Sequence, residues 1–284
     1  MIEILTDSCS DLSAALLKQF HIRQIPFVVT IGEDSYLDGK TITTPGLFKK
    51  VEASGALPKT AAPSPADFAT FFNTPNEIIY IGISNQLSAG HQVATKTAES
   101  LDPARIHVID SHNLSTGIAL SVLTACDLRD QGCTAQEIID SVESFKERVY
   151  TTFVIDKLDY LYKGGRCSAM EHVVGSILNI HPVIAVDAQA GTMDVKEKIS
   201  GSRKKALNSM LQDFENHLPD IDLKRVFVTH TGCDADADFI KSRLLDITPI
   251  EQVYITTAGC TIASHAGPDT IGILYALKSQ HSAG

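Results

Sequence analysis

One pattern occurs three times in the first half of the chain: an apolar run, a polar turn, and a segment whose apolar residues recur at helical spacing. The three apolar runs are Ile2–Leu5, Ile78–Ile83 and Ile106–Asp110. A nearly continuous apolar run is typical of a strand that is covered on both faces in a parallel sheet. The alternation therefore predicts βαβ units and an α/β fold, with helices flanking a mostly parallel sheet.

The second half has a different pattern, and 284 residues are enough for two domains of ordinary size. An amphipathic helix is predicted over Ala135–Val149, and a new strand begins at Thr151. We place a domain boundary near Tyr150 and expect two α/β domains, residues 1–150 and 151–284. A further helix of small and apolar residues is predicted after Arg166.

Composition excludes several classes of protein. The formal net charge of -10 disfavours a general nucleic-acid binder, because phosphate binding needs a basic surface. No apolar run reaches the roughly 18 residues of a transmembrane helix, so membrane insertion is not expected. The first residues predict a strand rather than a signal peptide, which indicates a cytoplasmic protein. The six cysteines show neither CxxC nor zinc-site spacing, so we expect reduced thiols and no metal.

Polar side chains follow the predicted strands, and ligands of parallel α/β sheets bind at the carboxyl ends of the strands. Hydroxyl groups at such ends belong to Thr6, Ser8, Ser88 and Ser111. The turn at Thr6, Asp7 and Ser8 can bind an anion, but the same residues can simply cap a helix. Thr6, Asp7 and Ser8, together with Arg166, form a possible secondary site. Arg166 follows two glycines and can equally be an exposed turn residue.

Two further residues stand out by their surroundings. Thr60 lies in a stretch with prolines at positions 58, 63 and 65, which predicts a rigid loop. His265 lies between a predicted strand, Gln252–Thr256, and a β-prone run, Ile271–Leu277. A histidine there can form hydrogen bonds and titrate near neutral pH, although a capping or core histidine fits the local pattern equally well.

Most catalytic and nucleotide-binding motifs are absent. The chain contains no GxGxxG, no GxxxxGK[ST] and no HExxH. The segment Gln86–Gly90 lacks the first glycine of a nucleophile elbow. From these patterns alone we predict a two-domain α/β protein with a hydroxyl-rich site at strand ends, and catalytic residues cannot be chosen.

Five motifs occur in an order that resembles a known family. They are Thr6-Asp7-Ser8, the loop Pro58–Ser64, the segment Ile83–Gly90, the segment Leu158–Arg166 and His265-Ala266-Gly267-Pro268. Together they resemble the DegV family, the bacterial fatty-acid-binding proteins that serve a fatty acid kinase. The resemblance covers essentially the whole chain. Two segments depart from the family pattern, which usually has KTSQPS around Thr60 and LSGTY around Ser88.

The resemblance implies a fatty acid buried between two α/β domains. It also implies that the carboxylate is held by Thr60, Ser88 and His265, with the long-chain fatty acid as ligand and no cofactor. The implied partner is a fatty acid kinase protein that phosphorylates the bound acid. Arg203 resembles a position that the family uses for the kinase contact, although an ordinary solvated arginine fits the sequence as well.

Our leading hypothesis is therefore a lipid carrier that is not an enzyme and presents a carboxylate to a kinase. Roughly 15 methylenes at ~0.8 kcal/mol each contribute about 12 kcal/mol before the costs of association. One alternative is a hydrolase or acyl transferase that uses Ser88 and His265, with Asp269 as the nearby acid. Another is a carrier of a different amphiphilic acid.

Overall fold

The computed structural model describes residues 1–167 and 180–279. Its first sheet is parallel, with strand order β2-β1-β6-β7. These strands are β1 (Ile2–Asp7), β2 (Arg23–Ile25), β6 (Glu77–Gly82) and β7 (Ile106–Asp110). The helices of this half are α1 (Ala14–Gln19), α2 (Thr44–Ser54), α3 (Pro65–Phe72), α4 (Gly90–Leu101), α5 (Thr116–Asp130) and α6 (Ala135–Lys146).

The central strand β6 shows why this sheet needs helices on both faces. Ile78 and Tyr80 pack in one apolar cluster with residues of α3 and α4. Ile79 and Ile81 pack in another cluster with residues of α5 and α6. Successive side chains of a strand point to opposite faces, so the continuous apolar run fills both layers. The predicted fold class, α/β with a mostly parallel first sheet flanked by helices, is confirmed.

A small antiparallel sheet lies beside this unit and contains Thr60. Its order is β4-β3-β5, with β3 (Val28–Ile31), β4 (Asp34–Leu37) and β5 (Lys59–Ala61). The prediction of a loop at Thr60 was wrong, because Thr60 lies in strand β5 and pairs with Val29 of β3. The flanking prolines limit this strand to three residues, since proline cannot donate a ladder hydrogen bond.

The second sheet is mixed and has the order β10-β9-β8-β13-β11-β12. Its strands are β8 (Val149–Val154), β9 (Ile180–Asp187), β10 (Thr192–Ser200), β11 (Ile221–His230), β12 (Val253–Thr257) and β13 (Ile271–Leu277). The described helices of this half are α7 (Leu158–Gly164), α8 (Arg203–His217), α9 (Asp234–Ile247) and α10 (Cys260–Ala266). One face of the sheet packs against α8 and α9.

The other face of the second sheet shares an apolar core with the first half. Helix α5 lies in this shared core, where its Ile118 and Val122 are fully buried. The cluster also includes Ile79 of the first sheet and Phe227 of the second. The two large sheets therefore lie on either side of α5, and the strands of the second sheet begin at Val149. The boundary at residue 150 stays a prediction.

Two further predictions concern the second half. His265 lies between β12 and β13 as predicted, and the short helix α10 that carries it was not predicted. The helix predicted after Arg166 lies outside the described residues. Within residues 1–167 and 180–279, no helix combines the length and the apolar content needed to cross a membrane.

Candidate functional site

A cavity of about 290 Å³ lies between the two large sheets. Loops at the carboxyl ends of β6 and β7 form one wall, and the inner face of the second sheet forms the opposite wall. Strand β5 and helix α10 close the remaining sides. The wall is mainly apolar, with Phe27, Ile83, Leu87, Leu114, Phe153, Leu161, Met193, Ile262 and Leu274 among its side chains.

Three residues expected at the carboxylate, Thr60, Ser88 and His265, line this one cavity, as does Arg166. Thr60 Oγ1 lies 2.8 Å from His265 Nε2, at hydrogen-bonding distance. Strand β5 brings the threonine to this point and α10 brings the histidine. The structure thus places these side chains together, and their role in ligand binding stays a prediction.

The other ring nitrogen of His265 faces helix α7. A Cβ atom added to Gly164 would lie 2.6 Å from His265 Nδ1, so only glycine allows this approach. His265 Nδ1 has no hydrogen-bond partner. The weakly positive Cα–H group of Gly164 suits a lone pair better than a second hydrogen. We therefore assign the proton to Nε2, which donates to Thr60 Oγ1 and leaves the Thr60 hydroxyl hydrogen available to a ligand.

Burial, together with the positive charge of Arg166, lowers the pKa of His265 to about 4. The imidazole is therefore neutral at pH 7 in the empty protein. A neutral ring fits the assigned tautomer, in which one nitrogen donates and the other keeps its lone pair.

Ser88 lies two residues before the first amide of α4. Its Oγ accepts a hydrogen bond of 3.2 Å from the backbone N–H of Gly90. Because the oxygen is the acceptor in that bond, the hydroxyl hydrogen remains free to donate. Ser88 and Thr60 can therefore each offer one O–H donor to a carboxylate in the cavity.

Arg166 adds a positive charge at the same end of the cavity. Its Nε donates to the carbonyl oxygen of Leu87 at 3.4 Å, which connects the α7 turn to the loop after β6. Arg166, Ala61 and Ala89 are exposed, whereas His265 is partly buried and Leu114 is buried. The polar end of the cavity therefore lies towards the surface.

Two buried carboxyl groups from the first half hold the start of α10. Asp38 accepts hydrogen bonds from the backbone N–H groups of Cys260 at 2.7 Å and Thr261 at 2.9 Å. Asp11 Oδ1 accepts from Gly259 N at 2.7 Å, and burial raises the pKa of Asp11 well above its usual range. These bonds satisfy amides that a helix start leaves without partners, and so fix the helix that carries His265.

Sequence patterns gave no indication of this support. Asp38 and Asp11 lie in unremarkable polar turns, and their partners are 222 and 248 positions away. The role of Gly164 was not predicted either: its missing side chain makes room for His265.

The possible secondary site has a different environment. Thr6 Oγ1 donates to Ile81 O at 2.8 Å, and Ser8 Oγ accepts from Phe27 N at 3.1 Å. The Asp7 carboxylate accepts bonds from donors of the chain itself: Cys9 N, Tyr80 Oη and Ile83 N. Of the four residues predicted for this site, Arg166 alone lines the cavity. Anion binding by the other three stays a prediction.

Arg203, the expected partner contact, lies at the first position of α8. Its Nε donates to Asp236 Oδ2 at 2.7 Å, and Nη1 lies 3.8 Å from Asp156 Oδ1. The side chain is partly buried rather than fully solvated. Its contact with a partner stays a prediction.

The contacts needed for acyl-transfer chemistry are not found among the described residues. His265 Nε2 is bonded to Thr60, and no hydrogen bond joins Ser88 to His265. Because Nδ1 has no partner, Asp269 does not orient the ring. In the described part of the chain, no group of three or more histidine, cysteine, aspartate or glutamate side chains could hold a metal ion.

This fold, two sheets around an apolar cavity with hydroxyl and imidazole groups at one end, defines a class of small-molecule-binding α/β protein. Residues 1–278 match the family model DegV, whose description is "Uncharacterised protein, DegV family". A DegV domain-containing protein of Caldanaerobacter subterraneus is 31% identical over 281 residues, which cover 98% of this chain and 99% of the relative. The chain belongs to the DegV family.

Solved structures share the fold over nearly the whole chain. A DegV family protein from Thermus thermophilus, described for its fatty acid binding, has a TM-score of 0.90 and 28% identity, with 97% of this chain and 99% of that chain covered. The Streptococcus pneumoniae fatty acid kinase protein Fak B3, loaded with linoleic acid, has a TM-score of 0.85 and 22% identity, with 98% and 100% covered. The second similarity shows the fold alone.

Proposed function

We propose that this protein binds a long-chain fatty acid in the cavity between its two large sheets and presents the carboxylate to a fatty acid kinase. The observation that carries the proposal is the pairing of Thr60 with His265 at the polar end of a mainly apolar cavity. The fatty acid binding described for the Thermus thermophilus relative supports it.

The carboxylate sits between the hydroxyl groups of Thr60 and Ser88 in this proposal. Burying a carboxylate is costly unless donors replace its water shell, and two O–H donors together with the charge of Arg166 reduce that cost. The neutral His265 holds the Thr60 oxygen through Nε2–H. The acyl tail contacts the apolar wall, which provides most of the affinity.

Presentation to a kinase is supported by the direction in which the cavity opens. The exposed residues Ala61, Ala89 and Arg166 surround its polar end, so a partner can approach the carboxylate there. The Streptococcus pneumoniae protein of similar fold is a fatty acid kinase protein, and we therefore propose a fatty acid kinase as the partner. Arg203 is the proposed residue of the kinase contact. We place this activity in the cytoplasm, where the thiols of Cys9, Cys126 and Cys260 stay reduced.

The proposal is tested by two measurements on Thr60→Val and Ser88→Ala: affinity for hexadecanoic acid, and acyl phosphate formation with a bacterial fatty acid kinase at saturating lipid. We expect affinity to fall roughly 10- to 100-fold, because each variant loses a donor to a charged group. Turnover should fall further, because a misplaced carboxylate cannot meet the phosphoryl donor in line.

Ser54→Ala is the matched control, because it removes an exposed hydroxyl group from a residue of α2 that does not line the cavity. It should leave both measurements unchanged. Turnover at saturation that equals wild type in both site variants would show that Thr60 and Ser88 do not position the carboxylate.

A further inference from the structure

A second pocket, of about 190 Å³, lies between α5 and the beginning of β11, and we call it the Arg148 pocket. Helices α5 and α6 supply one wall, and strands β11 and β13 supply the other. The lining residues are Leu120, Thr124, Asp127, Leu128, Gln131, Phe145, Arg148, Asp222, Lys224, Arg225 and Ala276. None of these residues lines the larger cavity, so the Arg148 pocket is a separate space.

An irregularity in β11 turns three charged side chains towards this pocket. The register of β11 with β13 shifts after Asp222, which marks a β-bulge. Ile221 and Leu223 belong to the apolar cluster on the outer face of the sheet, beside α8 and α9. Asp222 and Lys224 alternate with them and therefore face the opposite side, towards α5. The bulge brings Arg225 to that side as well.

Two cations of the pocket share one carboxylate. Arg225 donates to both oxygens of Asp127, at 2.7 Å each, and Lys224 Nζ donates to Asp127 Oδ2 at 2.8 Å. This ionic cluster joins α5 to β11. The carboxylate of Asp127 is therefore committed to two cations that belong to the protein itself.

The third cation, Arg148, has no carboxylate partner among the residues that the structure describes. Its Nη1 donates to the carbonyl oxygen of Leu277 at 2.6 Å, and its guanidinium group lies 5.1 Å from the centre of the Phe145 ring. Nε is buried without a partner, so a ligand cannot reach that nitrogen. Nη2 also lacks a partner but retains solvent contact. Arg148 therefore keeps accessible N–H donors on Nη2, and its positive charge is not neutralised.

Asp222 is the matching negative group. Its Oδ1 accepts from the backbone N–H of Lys224 at 3.0 Å, and its carboxylate forms no ion pair in the described part of the chain. Asp222 lies opposite Ala276 of β13, next to the Leu277 that Arg148 contacts. Two unpaired and partly buried charges of opposite sign thus lie in one pocket without contacting each other. Such charges are unfavourable, and a ligand with complementary charges would remove the penalty.

The rest of the wall and the volume indicate what else the ligand contains. The wall between the two charges is apolar, with the side chains of Leu120, Leu128, Phe145 and Ala276. Pockets for drug-sized ligands have volumes of roughly 300–1,000 Å³, so this one suits a smaller molecule. We propose that the Arg148 pocket binds a free α-amino acid with an apolar side chain. The ligand carboxylate accepts from Arg148 Nη2, and the ligand ammonium group donates to Asp222. This inference does not depend on fatty acid binding.

The test follows the backbone amide resonances of Lys224 and Ala276 by NMR while the full-length protein is titrated with L-leucine. Two matched probes each lack one charge: 4-methylpentanoic acid has no ammonium group, and 3-methylbutylamine has no carboxylate. We expect L-leucine to shift both resonances with a Kd on the order of 1 mM. Each probe should bind there at least about tenfold more weakly, because it leaves one charge of the pocket unpaired.

Two variants identify the groups that bind. In Asp222→Asn, L-leucine should bind no more tightly than 4-methylpentanoic acid, because the amide still accepts from Lys224 N–H but carries no charge. In Arg148→Gln, L-leucine should lose its advantage over 3-methylbutylamine. Asp220→Asn and Arg243→Gln make the same charge changes at exposed positions outside the pocket and should bind as wild type does. If Arg148→Gln fails to fold because it loses its carbonyl contact, Asp222→Asn still decides the test.

Three results would overturn the inference. The first is the absence of saturable shifts at these amides with L-leucine at roughly ten times the expected Kd. The second is 4-methylpentanoic acid that binds there as tightly as L-leucine, which would indicate a simple anion site. The third is a preference for L-leucine that survives in Asp222→Asn. None of these results affects the proposed fatty acid binding, because the pocket and the cavity share no lining residue.

Discussion

Thr60 Oγ1 and His265 Nε2 lie 2.8 Å apart although 205 positions separate the two residues in the chain. The contact joins a strand of the small sheet to a helix of the second half, across the opening of the cavity. Because His265 Nδ1 faces Gly164, the ring donates through Nε2 and the Thr60 hydroxyl hydrogen is free for the ligand. In the proposed complex, His265 acts on the carboxylate mainly by orienting Thr60.

Gly164→Ala should weaken fatty acid binding roughly tenfold while the protein remains folded. The new methyl group would lie 2.6 Å from His265 Nδ1, so the ring must move away from Thr60. Gly46→Ala is the control, because the nearest atom to its added Cβ is 3.5 Å away. Calorimetric titration with hexadecanoic acid measures both, and equal affinities for the two variants would show that His265 is not confined by Gly164.

Asp38→Asn should lower the free energy of unfolding by about 1–3 kcal/mol, because an amide offers a single neutral oxygen to the two backbone N–H groups of Cys260 and Thr261. Glu33→Gln makes the same charge change at an exposed position of the neighbouring turn, and should stay within ~0.5 kcal/mol of wild type. Urea denaturation gives both values. If Asp38→Asn were as stable as Glu33→Gln, the carboxylate would not be needed to hold α10.

His265 should titrate near pH 4 in the empty protein, below the ordinary value of 6.5. Because the pKa is lower in the folded state than in the unfolded state, the histidine favours folding above pH 6.5. This contribution, at most about 3 kcal/mol, is lost as the pH falls from 6.5 to 4.

NMR of the imidazole measures the pKa directly, and His265→Gln should lose less stability than wild type over the same pH interval. The sign of that difference is informative, because a larger loss in the variant would contradict burial of a neutral ring. An imidazole resonance of His265 that titrates near 6.5 would contradict it as well.

Ser88 should not react with a fluorophosphonate probe, because no described contact activates its hydroxyl group. Its Oγ accepts from Gly90 N, and His265 Nε2 is bonded to Thr60. Mass spectrometry of the treated protein detects the adduct. Labelling at Ser88 that disappears in His265→Ala would favour the hydrolase or acyl transferase alternative.

The sequence allowed the architecture of the first sheet to be predicted because its signal is local. Ile78, Ile79, Tyr80 and Ile81 form one uninterrupted apolar run, and all four are fully buried. Alternation of such runs with helical segments is sufficient to predict a parallel α/β sheet. No long-range information is needed for that conclusion.

The strand at Thr60 and the helix at His265 depend on distant partners, which local patterns do not contain. Strand β5 exists because it pairs with Val28–Thr30, and α10 begins where Asp38 accepts its first amides. The turn at Asp7, where an anion site was predicted, also has distant partners that local patterns do not contain. Its carboxylate is already satisfied by Tyr80 of the neighbouring strand and by Ile83.

The central claim is that the cavity between the sheets holds a long-chain fatty acid, and native mass spectrometry tests it most directly. Protein purified from a bacterial host should carry about one fatty acid per chain, because the tail contributes roughly 0.8 kcal/mol for each buried methylene. Extraction and lipid analysis should identify the acid, and Thr60→Val should show lower occupancy. Protein that carries no lipid, and binds neither hexadecanoic nor octadecenoic acid when they are added, would contradict the claim.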